Sequence, residues 1–143
     1  MIAVDTNVLV YAHRQDSPHH DAARAAVADL AGSRGGWGVP WPCVHEFYSI
    51  VTHPRVYDPP TSPGDALRTL DDLAQLHGVR FLGEVDDHLT LLAELIERSG
   101  VAGPKVHDAR IAAICLGHGV RELWTADRDF SYFPALKTRN PLV

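Results

Sequence analysis

Four short apolar segments, "IAV" (Ile2–Val4), "WGVP" (Trp37–Pro40), "VRFLG" (Val79–Gly83) and "ELWTA" (Glu122–Ala126), stand far apart in the chain. The stretches between them are too long for hairpins and carry helical patterns. Connections of a dozen or more residues through a helix return a chain to a parallel neighbour. The alternation therefore predicts an α/β fold with a short, mostly parallel central sheet of four or five strands in three layers, flanked by about six helices. "LKTR" (Leu136–Arg139) is the candidate fifth strand. In sheets of this kind ligands bind beyond the carboxyl ends of the strands. Residues just after "IAV" and "ELWTA" thus matter more than their number suggests.

Helices are expected over Asn7–Arg14, Pro42–His53, Asp86–Ser99 and Val106–Leu116. "SPHHDAARAAVADLAG" reads as another, with Ser17 as N-cap, Pro18 in the first helical position and Gly32 just past the end. Ser62 and Pro63 open a further helix that ends near Gly78, after a proline-rich loop. At 143 residues the chain has the length of one domain, 1–143, able to bury one core. Its 45% hydrophobic and 22% charged content is that of a soluble globular protein. No apolar run approaches the ~20 residues that span a bilayer, and the N-terminus has no leader pattern. A cytoplasmic protein with no membrane partner is predicted, with secretion left open. Cys43 and Cys115 form no metal-binding pair and fall in apolar helical patterns, as core residues of a reducing compartment do.

The acids are less ordinary. Asp5 follows the first strand, and Asp127 and Asp129 follow the fourth in "TADRDF". Glu46 lies on the helical face shared by Cys43, Phe47 and Ile50, and Asp108 stacks with Ile111, Ala112 and Cys115. Most of these acids have a structural explanation: Asp5 as a helix N-cap, Asp108 near a helix start, Asp127 or Asp129 as a turn cap. Glu46, in a second helical turn between apolar neighbours, is less easily explained. Converging carboxylates nonetheless repel by about 4 kcal/mol per pair at 4 Å with an effective dielectric near 20. Either their pKa values rise or a divalent cation sits among them. An oxygen-only donor set suits Mg²⁺ or Mn²⁺ rather than zinc. A net charge of -5 argues only mildly against a nucleic-acid partner, because held cations change the local sign. Lys105, Arg110 and Arg128 lie near the acids in sequence and are candidates for RNA phosphates, or plain surface charges.

The ordered set "DTNVLV", the glutamate of the third helix, "HDARIAA" and "TADRDF" resembles PIN-domain proteins, specifically VapC-type toxin ribonucleases of bacterial toxin–antitoxin modules. The resemblance covers essentially the whole chain, and "THPRVYDPPTSPGDA" and the final "NPLV" are similar to PIN toxins abundant in mycobacteria. It implies that Asp5, Glu46, Asp108 and Asp127 form an acidic quartet that holds Mg²⁺ or Mn²⁺. It further implies that Asn7 and Thr125 orient carboxylates or a water, with Asp129 as an additional acid of variable part. A homodimer and a VapB antitoxin partner are implied as well. Leu67, Leu70, Leu89, Leu92 and Leu95 are candidate dimer contacts. The activity implied is metal-dependent endoribonuclease cleavage to 5′-phosphate and 3′-hydroxyl ends.

Two alternatives stay open. A metal-dependent phosphatase of the haloacid-dehalogenase type needs a second Asp two residues after the first, where this chain has Asn7. A non-catalytic PIN module would bind RNA or protein without cutting, and such modules usually lack one or more of the acids.

Overall fold

The computed structural model describes residues 1–143. In chain order the elements are β1 (Ile2–Val4), α1 (Thr6–His13), α2 (His20–Gly32), β2 (Trp37–Pro40), α3 (Trp41–Val51) and α4 (Pro63–Ala74). There follow β3 (Val79–Leu82), α5 (His88–Ser99), α6 (Val106–Gly117), β4 (Glu122–Trp124) and β5 (Thr138–Arg139). Single 3-10 turns occupy Gly103–Lys105 and Arg128–Tyr132.

The five strands form one sheet in the order β3-β2-β1-β4-β5, and every pairing is parallel. The chain moves from β1 to β2 to β3 in one direction, then crosses back to β4 on the other side of β1. Parallel crossovers are right-handed in nearly all proteins, so reversing direction moves the connecting helices to the other face. Helices α1–α4 therefore cover one face and α5–α6 the other. The reversal makes the β1/β4 boundary a switch point, where a crevice opens beyond the strand ends. Asp5 and Thr125 are the first residues past that edge.

Inward positions are filled by Val4, Trp37, Val39, Phe47, Leu82, Ile111, Ile114 and Leu123, each at most 2% exposed. Truncating a residue such as Phe47 to alanine would cost about 3–5 kcal/mol through lost transfer energy and a residual cavity. Trp37 is wholly buried and satisfies its indole by donating to the His77 carbonyl at 2.9 Å. Gly38 lies against the Leu82 side chain, and a Cβ there would fall 2.6 Å from Leu82 Cδ1, so a larger residue would force that side chain to move. Gly100, with φ of 71°, ends α5 in the left-handed conformation. Both cysteines are buried thiols.

Several expected boundaries move. The second helix starts at His20, not Ser17, because the Ser17 hydroxyl accepts the His19 N–H at 3.1 Å and closes a turn instead. Gly32 is that helix's last residue rather than the one beyond it. The first helix starts a residue earlier, at Thr6, since Asp5 caps it. The fourth keeps Ser62 as N-cap, its hydroxyl accepting the Asp65 N–H, but ends at Ala74. The fifth starts at His88, and β5 is only Thr138–Arg139, with Leu136 turned into the core. Leu95 also faces inward at 7% exposure and so is removed from the dimer candidates, while Leu67 and Leu89 remain 56% and 77% exposed. No helix is long and apolar enough to cross a membrane.

Candidate metal centre

Asp5 enters the site because β1 is three residues long and stops there. Its extended backbone starts α1, and Oδ1 accepts the Thr6 N–H at 2.7 Å. Oδ2 accepts the Thr125 hydroxyl at 2.7 Å and the Asn7 side-chain amide at 3.1 Å. The Cys43 thiol approaches Oδ1 at 3.5 Å. All these donors are uncharged, and Asp5 is only 4% exposed. Burial pushes its pKa up to about 6, held back by the Thr125 and Thr6 bonds and reinforced by the negative charge of Glu46. Asp5 is thus a buried acid as well as the N-cap of α1.

Glu46 sits half-buried on α3 and accepts the Thr6 hydroxyl at 2.7 Å. Asn7 ties the two strand ends together. Its amide nitrogen also donates to Thr125 Oγ1 at 3.1 Å, and its Oδ1 accepts the Ala126 N–H at 3.0 Å. Thr125 Oγ1 in turn accepts the Asp127 N–H at 3.0 Å. The segment after β4 is therefore fixed relative to Asp5.

Across this link lies the second group. Asp108, Asp127 and Asp129 each offer an oxygen, and these three atoms lie within 4.8 Å of one another. Asp127 caps the following 3-10 turn by accepting the Asp129 N–H at 2.8 Å, which presents Asp129 to the same space. Three ionised acids at such separations repel by roughly 3 kcal/mol per pair at an effective dielectric near 20, less where solvent screens them. Lys105 is the local compensation: its ammonium pairs with Asp129 and stands 3.5 Å from Asp108 Oδ2. Burial raises the Asp108 pKa, Lys105 opposes that rise, and Asp127 adds to it.

The donor set fits a hard divalent cation. It is all oxygen, it carries more negative charge than one lysine balances, and no thiolate or histidine enters it. Asp108, Asp127 and Asp129 are the side chains that already converge; Asp5 and Glu46 stand outside their 4.8 Å group but border it through Thr125 and Thr6. Of the basic candidates, Lys105 is committed to the acids and Arg110 donates from Nε to Glu84 at 2.6 Å. Only Arg128 is exposed without an ion pair. The contribution of Thr6 escaped sequence reasoning. It is the middle residue of "DTN", but its partner lies 40 positions away on another helix. The Lys105 pairing escaped too, although the spacing of three to Asp108 is a helical neighbour distance.

Comparison with known proteins fits this geometry. The PIN domain family matches residues 2–136. Ribonuclease VapC43 of Mycobacterium tuberculosis is 35% identical over 142 residues, covering 99% of this chain and 96% of its own. In fold, the chain resembles the crystal structure of VapBC2 from Rickettsia felis bound to a promoter DNA fragment. That match has a TM-score of 0.71 at 19% identity and covers 98% of both chains. It also resembles VapC20 of Mycobacterium tuberculosis, described as a Sarcin-Ricin loop cleaving toxin, with a TM-score of 0.67 at 17% identity, covering 92% and 93%. The acids after β1 and β4 thus sit on a scaffold shared along its whole length with these toxins, and the chain belongs to the PIN domain family.

Proposed function

We propose that this chain is a VapC-type toxin endoribonuclease, neutralised by a cognate VapB antitoxin and dependent on Mg²⁺ or Mn²⁺. The observation that carries the metal dependence is the convergence of Asp108, Asp127 and Asp129 within 4.8 Å beside the buried Asp5. Relatives named ribonucleases, which align over nearly the entire chain, support the activity. The whole of residues 1–143 serves as one domain, and two copies pair through faces that include Leu67 and Leu89. A short tail of the antitoxin would meet the acids at the same crevice.

Asp5, Glu46, Asp108 and Asp127 are the proposed ligands, with Asp129 beside them. A bound divalent ion supplies Lewis acidity toward a phosphoryl oxygen and toward water. The chain supplies the rest. Asn7 and Thr125 hold the Asp5 carboxylate in one orientation, and Thr6 does the same for Glu46. Because Asp5 is buried and its partners are neutral, its charge is available to a cation rather than spent on an internal ion pair. Lys105 pairs with Asp129 and lies beside Asp108, and these contacts would be given up to a bound cation. In-line attack by water on the phosphodiester leaves 5′-phosphate and 3′-hydroxyl ends and makes no use of the RNA 2′-hydroxyl.

The test is incubation of the purified chain with end-labelled RNA in Mg²⁺, in Mn²⁺ and in EDTA, followed by mapping of the new termini. Metal-dependent cleavage with 5′-phosphate ends is expected. Cleavage that persists in excess EDTA overturns the metal centre. RNA retained without cleavage, under any divalent ion, moves the chain to the binding-only class.

A further inference from the structure

A cleft of about 400 Å³ is lined by Pro42, His45, Glu46, His107 and Arg110. It lies between the starts of α3 and α6, so it opens at the same edge of the sheet as Asp5. Glu46 forms one wall, which makes the cleft continuous with the candidate metal centre. The other polar walls are two imidazoles and a guanidinium. Its volume is at the small end of ligand pockets, enough for about one nucleotide.

Trp41, 44% exposed and the first residue of α3, does not line the cleft itself but immediately precedes Pro42 and lies one turn before His45, which do. One ring face stacks on Phe81 of β3 at 4.8 Å between centroids and an interplanar angle of 25°. Exposure therefore falls on the other face and the edge. His45 follows one helical turn later, its Nδ1–H donating to the Trp41 carbonyl at 2.9 Å, with the two rings 6.5 Å apart. That bond leaves Nε2 turned to other partners. Arg110 is braced by an ion pair from its Nε to Glu84, which leaves its two terminal nitrogens available as further donors. A supported flat aromatic face next to fixed cationic and imidazole donors is the composition of a single-strand nucleic-acid subsite.

We infer that Trp41 is a stacking platform for an unpaired RNA base one nucleotide from the scissile phosphate, and that Arg110, His107 and His45 hold the phosphate of that nucleotide. The inference rests on the ribonuclease reading and deepens it. An apolar peptide is a poorer occupant, because Pro42 is the one uncharged, non-imidazole residue lining the cleft. A duplex is excluded by geometry: its bases are stacked within the helix and cannot lie on an indole. The site therefore selects single strands and loops, and the identity of the flanking base is sensed by stacking.

The tryptophans give a direct readout. Trp37 and Trp124 are 0% and 7% exposed, so Trp41 dominates any solvent-accessible quenching. A short single-stranded oligoadenylate, titrated in Ca²⁺, should quench the fluorescence saturably, and the same strand in a duplex should not. Trp41→Leu keeps an apolar cover on Phe81 but removes the flat face. It should abolish the quench, weaken binding by about 5- to 100-fold in anisotropy, and raise KM more than it lowers kcat. Trp41→Phe should recover most of the affinity. Arg110→Gln should reduce the slope of log affinity against log salt by about 0.7. Wild-type affinity for Trp41→Leu, or quenching by a VapB-derived peptide but not by RNA, overturns the subsite. Cleavage in Mg²⁺ without a Trp41 effect leaves the ribonuclease reading standing alone. Quenching and Trp41-dependent binding without cleavage of any RNA reverses that result.

Discussion

The two halves of the acidic site keep negative charge by opposite means. Asp5 is 4% exposed and surrounded by neutral donors, so its difficulty is dehydration. Asp108, Asp127 and Asp129 are half-buried or exposed, so their difficulty is one another. Hydrogen bonds answer the first problem, and a lysine tethered three residues away answers the second. A cation held as proposed would relieve both, replacing lost water for Asp5 and offsetting repulsion for the other three. The difference teaches that one functional cluster need not share one electrostatic character, and that variants in its two halves should separate.

The largest effect is on chemistry, where the halves should behave alike. Asp5→Asn and Asp108→Asn are each expected to lower RNA cleavage by about 1000-fold, some 4 kcal/mol of lost transition-state stabilisation. Circular dichroism should show both variants folded. Near wild-type turnover in either removes that residue from the site.

Stability against pH should tell the halves apart. The Asp5 pKa is raised to about 6 in the folded chain, above an unfolded value near 3.9. Between those values the native state binds more protons than the unfolded one, so metal-free stability falls as pH rises from about 4 to about 6. The full loss approaches 3 kcal/mol, at 1.36 kcal/mol per pH unit. Asp5→Asn should abolish most of that slope and melt higher than wild type in EDTA at pH 7. Asp108→Asn should remove a smaller part, because Lys105 already compensates Asp108. Mn²⁺ at ~100 times its dissociation constant stabilises a competent site by about 2.7 kcal/mol, which should reverse the ranking. A flat profile for the wild type between pH 4 and 6 would count against a buried, dehydrated Asp5.

Thr125→Val should cost about 1–3 kcal/mol, since it leaves the Asp127 N–H without its acceptor and takes from buried Asp5 Oδ2 one of its two donors. Chemical denaturation of that variant and of Thr125→Ser checks this, with serine close to wild type. The smallest shift should come from Lys105→Met. It should lower the melting temperature in EDTA and bring Mn²⁺ binding to a lower concentration, read by calorimetry. Unchanged metal affinity would mean that the ammonium does not compete for the acids.

Much of this was legible in the chain because the chemistry sits where elements end. "DTN" and "TADRD" announce themselves by interrupting apolar segments, and the sheet follows from the spacing of those segments. Contacts between helices are another matter. Nothing local to Thr6 points to Glu46, and nothing local to Trp41 points to Phe81, since both depend on how separate elements pack. Ser17 misled for a different reason. Its hydroxyl had two competing uses, a helix cap or a tight turn, and the Pro18–His19 backbone decided for the turn.

A threonine hydroxyl has one proton to give and two lone pairs to offer. At Thr125 all three are spoken for, by Asp5 Oδ2 as acceptor and by Asn7 Nδ2 and the Asp127 N–H as donors. A rotor with every position occupied cannot turn. The polarity of each neighbouring bond is thereby dictated, and an Asn7 flipped end for end would set its carbonyl oxygen against both Asp5 and Thr125. The distance between the two strand ends is consequently set by the protein alone. Under the proposed metal reading, that spacing would be the same before a cation binds and after it leaves.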